Sequence, residues 1–484
     1  MKRLIACVAA LAVLVIGAPV MAAWTSLASN PSWWSYGDYP LGVGGQPSPS
    51  LQAQELTDYS ADPNYAVPGY IPRSNLDGAF VQGKYWVVGG YGAFTLDIDP
   101  LDPTSAKYHN NRQSGNDVYD PVTNTWDSSK WDGTGPLGYN NGGGAAMPTV
   151  SQGTYPGTSQ TLGYDWDGDG TKEIFVKGGY PIWGGEFGVY DPDTNTWAYT
   201  AQPVAWPNGG GIAQYLGVAH EVGGKMYCIG GYQWGAAGIN GQVYDPCTNT
   251  WTVLGEDMLP GAAAGQFAGA VLGTDIYLLG GVGAVTQILK YDTITNALTD
   301  TGHTLLTGVL RAAAVTIDGK IWVLGGEDLG GANISDIQIY DPVAGTVTLS
   351  ALSLPVGMSR LAADYDRLTG TLYLGGGYQF TTAGGAKING NKLWSAVVGT
   401  PPMPGDVDGN GVVDGLDLTA VITAWETYAC DPLWDPAADL DDSGIVDGLD
   451  LTAVISHWTI PSSAAPDEPA AKPGKRLGNV RKGR

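Results

Sequence analysis

Pairs of adjacent glycines recur through this chain and constrain its fold more than any other feature of the sequence. Those that end a short apolar run stand at residues 89–90, 178–179, 230–231, 280–281, 325–326 and 375–376. From the second pair onward the intervals are 52, 50, 45 and 50 residues, whereas the first interval of 89 residues indicates insertions. A repeat of this length is typical of arrays in which every unit is one supersecondary element.

A short apolar run precedes every glycine pair. The runs are rich in β-branched and aromatic residues, which favour buried strands bounded by turns. They cover residues 84–88, 173–177, 225–229, 275–279, 320–324 and 371–374. Glycine makes up 73 of the 484 residues and only 14% of residues are charged, which is expected of many short strands joined by tight turns.

A second motif follows the glycine pairs and predicts a turn between two strands. It reads Tyr-Asp-Pro-x-Thr-Asn-Thr-Trp over residues 119–126, 190–197 and 244–251, with weaker copies from Tyr291 and Tyr340. Asp-Pro and Thr-Asn-Thr supply the residue types that β-turns prefer. Each repeat therefore predicts four antiparallel strands, which is the pattern of a propeller blade.

The glycine pair followed by this turn motif resembles the kelch repeat, a family of β-propellers that includes relatives of galactose oxidase. The resemblance implies a mainly β fold over residues 24–398, a six-bladed propeller of four-stranded antiparallel blades. The sixth blade ends at residues 392–398 and lacks a fourth strand, so we expect the N-terminal strand at residues 23–31 to close the ring. A seven-bladed ring with residues 32–75 as an extra blade is the alternative.

A shorter repeat lies near the C-terminus and predicts two calcium sites. Residues 406–417 recur as 439–450, and residues 413–422 are identical to 446–455. Ca²⁺ takes six to eight oxygen ligands, and loops of this kind supply side chains at positions 1, 3, 5, 9 and 12 with a backbone carbonyl at position 7. The candidate ligands are Asp406, Asp408, Asn410, Val412, Asp414 and Asp417 in the first loop, and Asp439, Asp441, Ser443, Ile445, Asp447 and Asp450 in the second.

An apolar stripe follows each loop and predicts a helix. Leu418, Val421, Ile422 and Trp425 have the spacing i, i+3, i+4, i+7, and the same residue types recur 33 residues later. We therefore expect a small all-α module in which the two helices pack on each other through these stripes.

Two loop–helix units with no helix before either loop resemble a type I dockerin domain over residues 405–458, and a generic paired EF-hand is the alternative. The resemblance implies a cohesin-like protein partner. The near-identical copies would allow two orientations related by a pseudo-two-fold axis. Carried over by position, the candidate contact residues are Gly415, Leu416, Ile422, Thr423, Gly448, Leu449, Ile455 and Ser456.

A third acidic loop within the second kelch repeat is a further candidate calcium site. It places acidic residues at positions 1, 3, 5 and 9, namely Asp165, Asp167, Asp169 and Glu173. The loop resembles the calcium hairpins of integrin-type propellers, and a solvated acidic turn is the alternative reading.

The two ends of the chain predict export. Residues 1–23 combine a charged start with an apolar run and small residues, as a secretory signal peptide does. Residues 399–404 form a Pro-rich linker, and residues 459–484 a basic tail that we expect to be disordered. No other stretch is apolar and long enough to span a membrane. We expect a secreted protein that is extracellular or bound to the cell surface.

Four cysteines allow two readings. Cys7 leaves with the signal peptide, so three remain. Cys228 and Cys247 lie in one repeat, where they could form a disulfide or stay as two buried thiols.

The net charge and the motifs of the sequence limit the functions that the propeller can have. The net charge of −24 argues against nucleic acid as a partner. Three arginines at the starts of blades, Arg73, Arg311 and Arg360, are candidates to meet a carboxylate or sulfate ligand near the channel mouth. A structural hydrogen bond to loop carbonyls is the alternative for them. The four histidines do not cluster in sequence, and motifs of known hydrolases and nucleotide-binding proteins are absent, so no catalytic residue is assigned.

Three functional hypotheses follow. The first is a non-catalytic binding protein, in which the propeller recognises a glycan or protein ligand and the calcium-dependent dockerin docks onto a cohesin. The second is a carbohydrate-active enzyme acting by hydrolysis, oxidation or isomerisation of a polysaccharide. The third is a cell-surface structural protein, in which the 33-residue repeat clips the C-terminus to the propeller.

Overall fold

The computed structural model describes most of the predicted propeller and of the C-terminal module. Residues 1–22 and 460–484 are not among the described residues. The described residues are 23–27, 77–88, 95–99, 102–109, 116–127, 162–164, 172–177, 187–194, 196–199, 217–231, 239–255, 258, 265–381, 387–389 and 393–459. Residues 32–75, the alternative seventh blade, lie outside these ranges, as do the predicted signal peptide and basic tail.

Six four-stranded antiparallel sheets make up the propeller. The chain enters at β1 (Thr25–Ser26). The first sheet then takes β2 (Asp77–Val81) and β3 (Lys84–Val88), followed after the hairpin β4 (Thr95–Asp99) and β5 (Asp102–His109) by β6 (Asn116–Asp120) and β7 (Thr125–Asp127). The inserted hairpin accounts for part of the long first repeat.

The next two sheets follow without an inserted hairpin among the described residues. The second sheet consists of β8 (Leu162–Tyr164), β9 (Glu173–Lys177), β10 (Phe187–Asp191) and β11 (Thr196–Tyr199). The third consists of β12 (Val218–Val222), β13 (Lys225–Ile229), β14 (Gly241–Asp245) and β15 (Thr250–Gly255).

The last three sheets repeat this order. The fourth has β16 (Ala268–Leu272), β17 (Asp275–Leu279), β18 (Gln287–Asp292) and β19 (Ala297–Thr304). The fifth has β20 (Ala313–Ile317), β21 (Lys320–Leu324), β22 (Ile337–Asp341) and β23 (Thr346–Leu349). The sixth has β24 (Ala362–Asp366) and β25 (Thr371–Gly375), then the hairpin β26 (Tyr378–Thr381) and β27 (Lys387–Asn389), and lastly β28 (Leu393–Val397).

The N-terminal strand completes the sixth sheet. β1 pairs with β28, with Thr25 opposite Ser395 and Ser26 opposite Trp394. The sheet order is β1–β28–β25–β24, so β1 is the outermost strand. This is the closure expected from the sequence, and it covers the open edge of β28 while joining the first residues of the propeller to its last. The predicted mainly β propeller class is confirmed.

Apolar side chains fill the spaces between neighbouring sheets. Ile229 of the third sheet and Ile276 of the fourth belong to one buried cluster, and Leu279 and Ile321 join the fourth sheet to the fifth in the same way. A fully buried apolar side chain of this size contributes about 1.5–3 kcal/mol to stability. The glycine pairs at residues 280–281 and 325–326 lie where backbone segments approach closely, since a Cβ on Gly280 would stand 2.4 Å from the carbonyl oxygen of Val309.

Hydrogen bonds within the turn motif explain its sequence. The Tyr244 hydroxyl donates to Asn249 Oδ1 at 3.0 Å, and Asp245 Oδ1 accepts from the backbone N–H of Thr248 at 3.2 Å. Asn249 has a φ of +52°, a left-handed conformation that asparagine tolerates better than most residues. The same tyrosine–asparagine bond recurs from Tyr119 to Asn124 and from Tyr291 to Asn296.

The C-terminal module contains the two described helices, α1 (Gly415–Thr423) and α2 (Gly448–Ser456), each of nine residues. Each helix begins with an aspartate that caps it: Asp414 accepts from the N–H of Leu416 at 2.8 Å, and Asp447 accepts from that of Leu449 at 2.7 Å. This bond satisfies an amide that the helix leaves without a partner. Neither of these two helices has the length and apolarity needed to cross a membrane.

The predicted packing of the helical stripes is only half right. Val421 and Val454 are fully buried in the module core, together with Val413 and Val446 from the loop ends. Ile422, Ile455 and the two tryptophans of the stripes, Trp425 and Trp458, are instead exposed. Both tryptophans stand beyond the last helical residue, and short helices with small cores leave the edge of each stripe uncovered.

The halves of the module are joined by exchanged backbone bonds. The segment after the second helix pairs with the first loop, since Thr459 N donates to Val413 O at 2.8 Å. The segment after the first helix pairs with the second loop in the corresponding way, since Glu426 N donates to Val446 O at 2.9 Å. Each half therefore completes the other, as a pseudo-two-fold arrangement requires.

The cysteine pairing considered from the sequence is wrong. Cys247 forms a disulfide with Cys430 of the module, 183 residues further along the chain. Cys228 remains a thiol in the middle of β13, fully buried in a core cluster with Phe187. Cys247 stands in the exposed turn between β14 and β15, so a partner from another part of the chain reaches it and Cys228 does not.

Candidate calcium centres and docking surfaces

Three carboxylates meet in the first acidic loop. Ligand atoms of Asp406, Asp408 and Asp417 all lie within 4.8 Å of one another. The loop backbone holds them in place: Gly411 N donates to Asp406 Oδ2 at 2.8 Å, and Asn410 N donates to Asp408 Oδ1 at 3.1 Å. Like charges at this separation repel each other unless a cation lies between them.

Asp417 links this loop to its helix. Its Oδ1 accepts from Val407 N at 2.7 Å, and its Oδ2 accepts from Asp414 N at 2.8 Å, which completes a capping box at the start of α1. Burial alone would raise the pKa of Asp417, but the backbone donors around it outweigh burial and hold the pKa below its usual range. A fully buried, ionised carboxylate of this kind fits a ligand of a hard cation.

The second loop repeats the arrangement. Ligand atoms of Asp439, Asp441 and Asp450 lie within the same 4.8 Å. Asp450 Oδ1 accepts from Leu440 N at 2.6 Å, as Asp417 does from Val407. Burial raises the pKa of Asp439 to about 6, although the nearby Lys172 opposes that shift.

Both loops fit Ca²⁺. Each brings together three carboxylates from positions 1, 3 and 12, and the loop glycines Gly411 and Gly444 take left-handed backbone angles that permit the sharp turn. Asp414 and Asp447, predicted as ligands at position 9, are engaged as helix caps and are not members of the three-carboxylate groups. The remaining predicted ligands stand on the same two loops.

The predicted partner-contact residues lie on the surface of the module. All eight are exposed, four in each half of the module. The four apolar ones decide the character of this surface, with exposed fractions of 65% for Leu416, 57% for Ile422, 62% for Leu449 and 59% for Ile455. Exposed apolar side chains that recur in both halves make this surface a candidate interaction surface.

The module sits on one end of the propeller. Lys172 precedes β9, Arg367 lies in the β24–β25 turn and Cys247 in the β14–β15 turn. In a sheet of four antiparallel strands, the first and last turns lie at the same end, so these three residues share one end of the ring. We call it the module end. Lys172 Nζ lies 2.7 Å from Asp442 Oδ1, and Arg367 Nη2 donates to Asp439 O at 2.9 Å.

Two of the three predicted arginines meet at the opposite end. Arg311 and Arg360 precede β20 and β24, and Glu327 follows β21, which places all three at what we call the arginine end. Arg311 Nη1 lies 2.7 Å from Glu327 Oε2, and Arg360 Nε lies 3.4 Å from Oε1. Arg360 also lies over the Tyr378 ring, 4.8 Å from its centroid.

The backbone at the arginine end is linked from sheet to sheet. Arg311 N donates to Gln266 O at 3.0 Å, and Arg360 N donates to Arg311 O at 2.8 Å. All three residues have φ between +55° and +62°. Burial and the neighbouring Arg360 lower the pKa of Arg311. The buried Arg311 Nε has no hydrogen-bond partner. Among the described residues, the two guanidinium groups share the carboxylate of Glu327.

Sequence reasoning missed Glu327 and the module contacts. Glu327 follows a glycine pair, where one acidic residue among structural glycines carried no signal. Arg73 and three members of the third acidic loop, Asp165, Asp167 and Asp169, lie outside the described residues. Glu173 of that loop is buried, and the next residue back, Lys172, reaches the module.

The fold and the two acidic loops define a class: a β-propeller that carries a small paired-loop module of the kind that binds calcium. Comparison with known families makes the class specific. The model of the Kelch motif matches residues 216–258 and 309–349, and the model of the Dockerin type I domain matches residues 404–459. The chain is therefore a kelch-type β-propeller joined to a type I dockerin domain.

Curated relatives match the propeller part. Kelch-like protein 23 of Mus musculus is 24% identical over 271 residues, which is 54% of this chain and 41% of that protein. Kelch-like protein terF of Aspergillus terreus is 32% identical over 185 residues, covering 34% of this chain and 38% of the relative. The chain thus spans less than half the length of these relatives.

Proposed function

We propose that this chain is a secreted binding protein in which the dockerin domain docks onto a cohesin and the propeller holds a ligand. Residues 1–23 serve as the signal peptide, 24–398 as the propeller, 399–404 as the linker, 405–458 as the dockerin and 459–484 as the tail. The disulfide between Cys247 and Cys430 supports export, because such bonds persist in oxidising compartments.

The observation that carries this proposal is the doubled apolar surface of the module. Leu416 and Ile422 on one half, and Leu449 and Ile455 on the other, stay exposed while the module is held on the propeller. The contacts with the propeller use Cys430, Asp439 and Asp442 instead. Either half can therefore meet a partner without detaching the module.

Calcium has a structural part in this docking. One ion in each loop would neutralise the three carboxylates and fix the first turn of the following helix, which carries Leu416 or Leu449. The acidic loop at residues 165–173 is the candidate for a third ion. Because metal binding to such loops is coupled to folding, chelation should unfold the dockerin before the propeller.

The docking test uses the full chain and a panel of immobilised type I cohesin domains, with calcium or with chelator. We expect binding in calcium only. Leu416→Asp and Leu449→Asp should each be tolerated, since the other half remains, whereas the double variant should lose binding. Val343→Asp, on an exposed propeller turn, is the matched control. Retained binding by the double variant, or no binding to any cohesin in calcium, would refute cohesin docking.

The arginine end supports an acidic ligand for the propeller. Arg311 and Arg360 share the single carboxylate of Glu327, so a ligand carboxylate or sulfate would find charge-assisted donors there. The dockerin contacts the other end, so the described part of the dockerin does not cover this one. A glycan bearing uronic acid or sulfate, or an acidic protein segment, has the required chemistry.

Retention on neutral, uronic-acid and sulfated polysaccharides tests the ligand class, with released products measured in the same samples. We expect retention by the acidic polymers alone. Arg360→Gln should weaken it by about tenfold or more, as the loss of one charge-assisted hydrogen bond does. Lys290→Gln, which removes a positive charge elsewhere on the propeller, is the control. Equal binding of neutral and acidic polymers would contradict the proposal.

A structural role is the second candidate, and the clip between module and propeller favours it. The disulfide and the ion pairs of Lys172 and Arg367 would hold the C-terminus on the propeller even if no cohesin partner existed. The cohesin panel separates the two functions, because a purely structural module would bind none of its members.

A further inference from the structure

The two calcium loops differ at their fourth position, and the difference faces the propeller. The first loop has Gly409 there, and the second has Asp442. Both residues have a left-handed backbone, with φ of +70° and +62°. Glycine adopts this conformation freely, whereas another residue is strained unless its surroundings compensate. An aspartate at this position therefore calls for an interaction that glycine could not make.

The propeller provides that interaction. Lys172 Nζ donates to Asp442 Oδ1 at 2.7 Å, and Arg367 Nη2 donates to the same oxygen at 3.2 Å. Lys172 Nζ also lies 3.6 Å from Asp439 Oδ2, the first carboxylate of the second loop. Within the described part of the chain, no lysine or arginine pairs with a carboxylate of the first loop.

We propose that Lys172 and Arg367 of the propeller lower the calcium affinity of the second loop, so that the two loops bind calcium unequally. Calcium in the second loop in turn weakens the ionic contact between the dockerin and the propeller. This inference rests on the calcium sites proposed above. It adds a coupling between the two domains that neither domain would have alone.

The position and burial of Lys172 indicate that it lowers the calcium affinity of the second loop. A calcium ion bound to Asp439 would lie about 2.3–2.6 Å from its oxygen, which puts the Lys172 ammonium within about 6 Å of the ion. This is shorter than the screening length of about 8 Å at physiological ionic strength. The Lys172 side chain is 12% exposed and that of Asp439 is 3% exposed, so solvent weakens their interaction little.

Lys172 is the cation that lies nearest the ligands of the second loop, 3.6 Å from Asp439 Oδ2. Two further carboxylates, Glu221 near Lys172 and Asp364 near Asp442, are buried, and burial raises the pKa of both, which limits their negative charge. Among the described residues the first loop has no such cation, so the ammonium beside Asp439 repels Ca²⁺ from the second loop alone. Coupling between two sites is reciprocal, so the ion must also repel the two propeller side chains. The disulfide of Cys430 keeps the module attached while these ion pairs weaken.

Calcium titration of the full chain by calorimetry tests the inference. We expect two binding steps of different affinity in the wild type. Lys172→Gln should tighten the weaker step by about fivefold or more and leave the tighter step unchanged. Lys290→Gln, which breaks a lysine–aspartate pair inside the propeller, should change neither step.

A second variant should change the calcium affinity of the second loop in the direction opposite to Lys172→Gln. Asp442→Gly restores the residue of the first loop, and its backbone angle suits glycine. It removes a negative charge and frees Lys172 to approach Asp439, so the weaker step should become weaker still. Raising the salt concentration should reduce the difference between the two steps. Far-ultraviolet circular dichroism verifies that each variant is folded.

The outcomes distinguish a failure of this inference from a failure of the proposed calcium sites on which it rests. If the wild type binds no calcium, both the calcium sites and the coupling are wrong. If it binds two ions with equal affinity, or if Lys172→Gln behaves as Lys290→Gln does, only the coupling is overturned. A tighter weak step in Lys172→Gln together with a weaker one in Asp442→Gly would support it.

Discussion

The sulfur of Cys247, in a turn of the third propeller sheet, is bonded to the sulfur of Cys430 in the dockerin domain. The bond lies on the same end of the ring as the contacts of Lys172 and Arg367 with the second calcium loop. The dockerin is therefore attached to the propeller by the disulfide and these ion pairs, in addition to the chain connection through residues 399–404. The apolar side chains of Leu416, Ile422, Leu449 and Ile455 remain exposed with the module in this position.

Loss of this bond should destabilise the protein. A cross-link that closes a loop of this length is expected to stabilise the folded state by about 2–5 kcal/mol. Cys430→Ser should lower the free energy of unfolding of the dockerin by about the same amount. Denaturant titration, followed by a spectroscopic signal from the dockerin, measures this change. Reduction of the wild type should give the same loss. Peptide mapping without reductant should recover a fragment joining Cys247 to Cys430, and a fragment joining Cys228 to either would contradict the structure.

The turn motif should depend on its asparagine. Asn249→Ala keeps the left-handed backbone but loses the residue type that tolerates it, and it removes the acceptor of the Tyr244 hydroxyl. We expect a loss of about 1–3 kcal/mol in the free energy of unfolding. Asn249→Gly relieves the backbone and should lose less. Tyr244→Phe should cost about 1 kcal/mol, and the control Val343→Ala in an exposed turn should cost almost nothing.

Asp364 should make the propeller less stable as pH rises. Its Oδ2 accepts from Phe80 N at 2.5 Å and so joins the sixth sheet to the first. Burial raises the pKa of Asp364 to about 7, and the charges of Asp442 and Asp366 add to the shift. Because the folded pKa lies above the unfolded value of 3.8, the folded state keeps a proton that the unfolded state has released. The stability from this site is therefore present near pH 4 and lost by about pH 7.

Asp364→Asn removes that dependence while keeping an oxygen acceptor for Phe80. The thermal unfolding midpoint of the wild type should fall between pH 4 and pH 7 by more than that of the variant. Above pH 7 the variant should be the more stable of the two. Asp318→Asn, at an exposed turn, is the matched control. If the thermal unfolding midpoints of the wild type and Asp364→Asn changed with pH in the same way, Asp364 would not be the group responsible.

Asp417 and Asp450 should each control one calcium ion. Asp417 accepts from three backbone amides through both of its oxygens, and an asparagine would turn an N–H₂ group toward one of them. Asp417→Asn should therefore lower the calcium stoichiometry of the wild type by one, and Asp450→Asn should do the same at the other loop. Calorimetry counts the ions. Asp435→Asn, outside both loops, should leave the stoichiometry unchanged, and an unchanged stoichiometry in Asp417→Asn would remove that residue from the site.

Much of the fold could be predicted because its signals are local. The strands before the glycine pairs are confirmed at residues 84–88, 225–229 and 320–324, among others, since a strand needs only a short apolar run between turn residues. The turn motif is explained by bonds that span five residues or fewer, from Tyr244 to Asn249. The 33-residue repeat fixed the acidic loops in the same way.

Features that join distant parts of the chain could not be predicted. The residues of the helical stripes divide into a buried set at Val421 and an exposed set at Ile422, because the size of the module core decides how much of each stripe is covered. The pairing of Arg311 and Arg360 through Glu327 depends on two neighbouring sheets meeting at one end of the ring.

The sequence by itself determined the repeating elements of this protein: the strands, the asparagine turns, and the loops with their capped helices. Their hydrogen bonds form between residues close in the chain, so the order of residue types is enough to specify them. Only the tertiary structure decided that Cys247 pairs with Cys430 and that Lys172 meets Asp442. Those partners are separated by 183 residues and by 270 residues, and they meet only because the ring closes and the dockerin lies across one end of it.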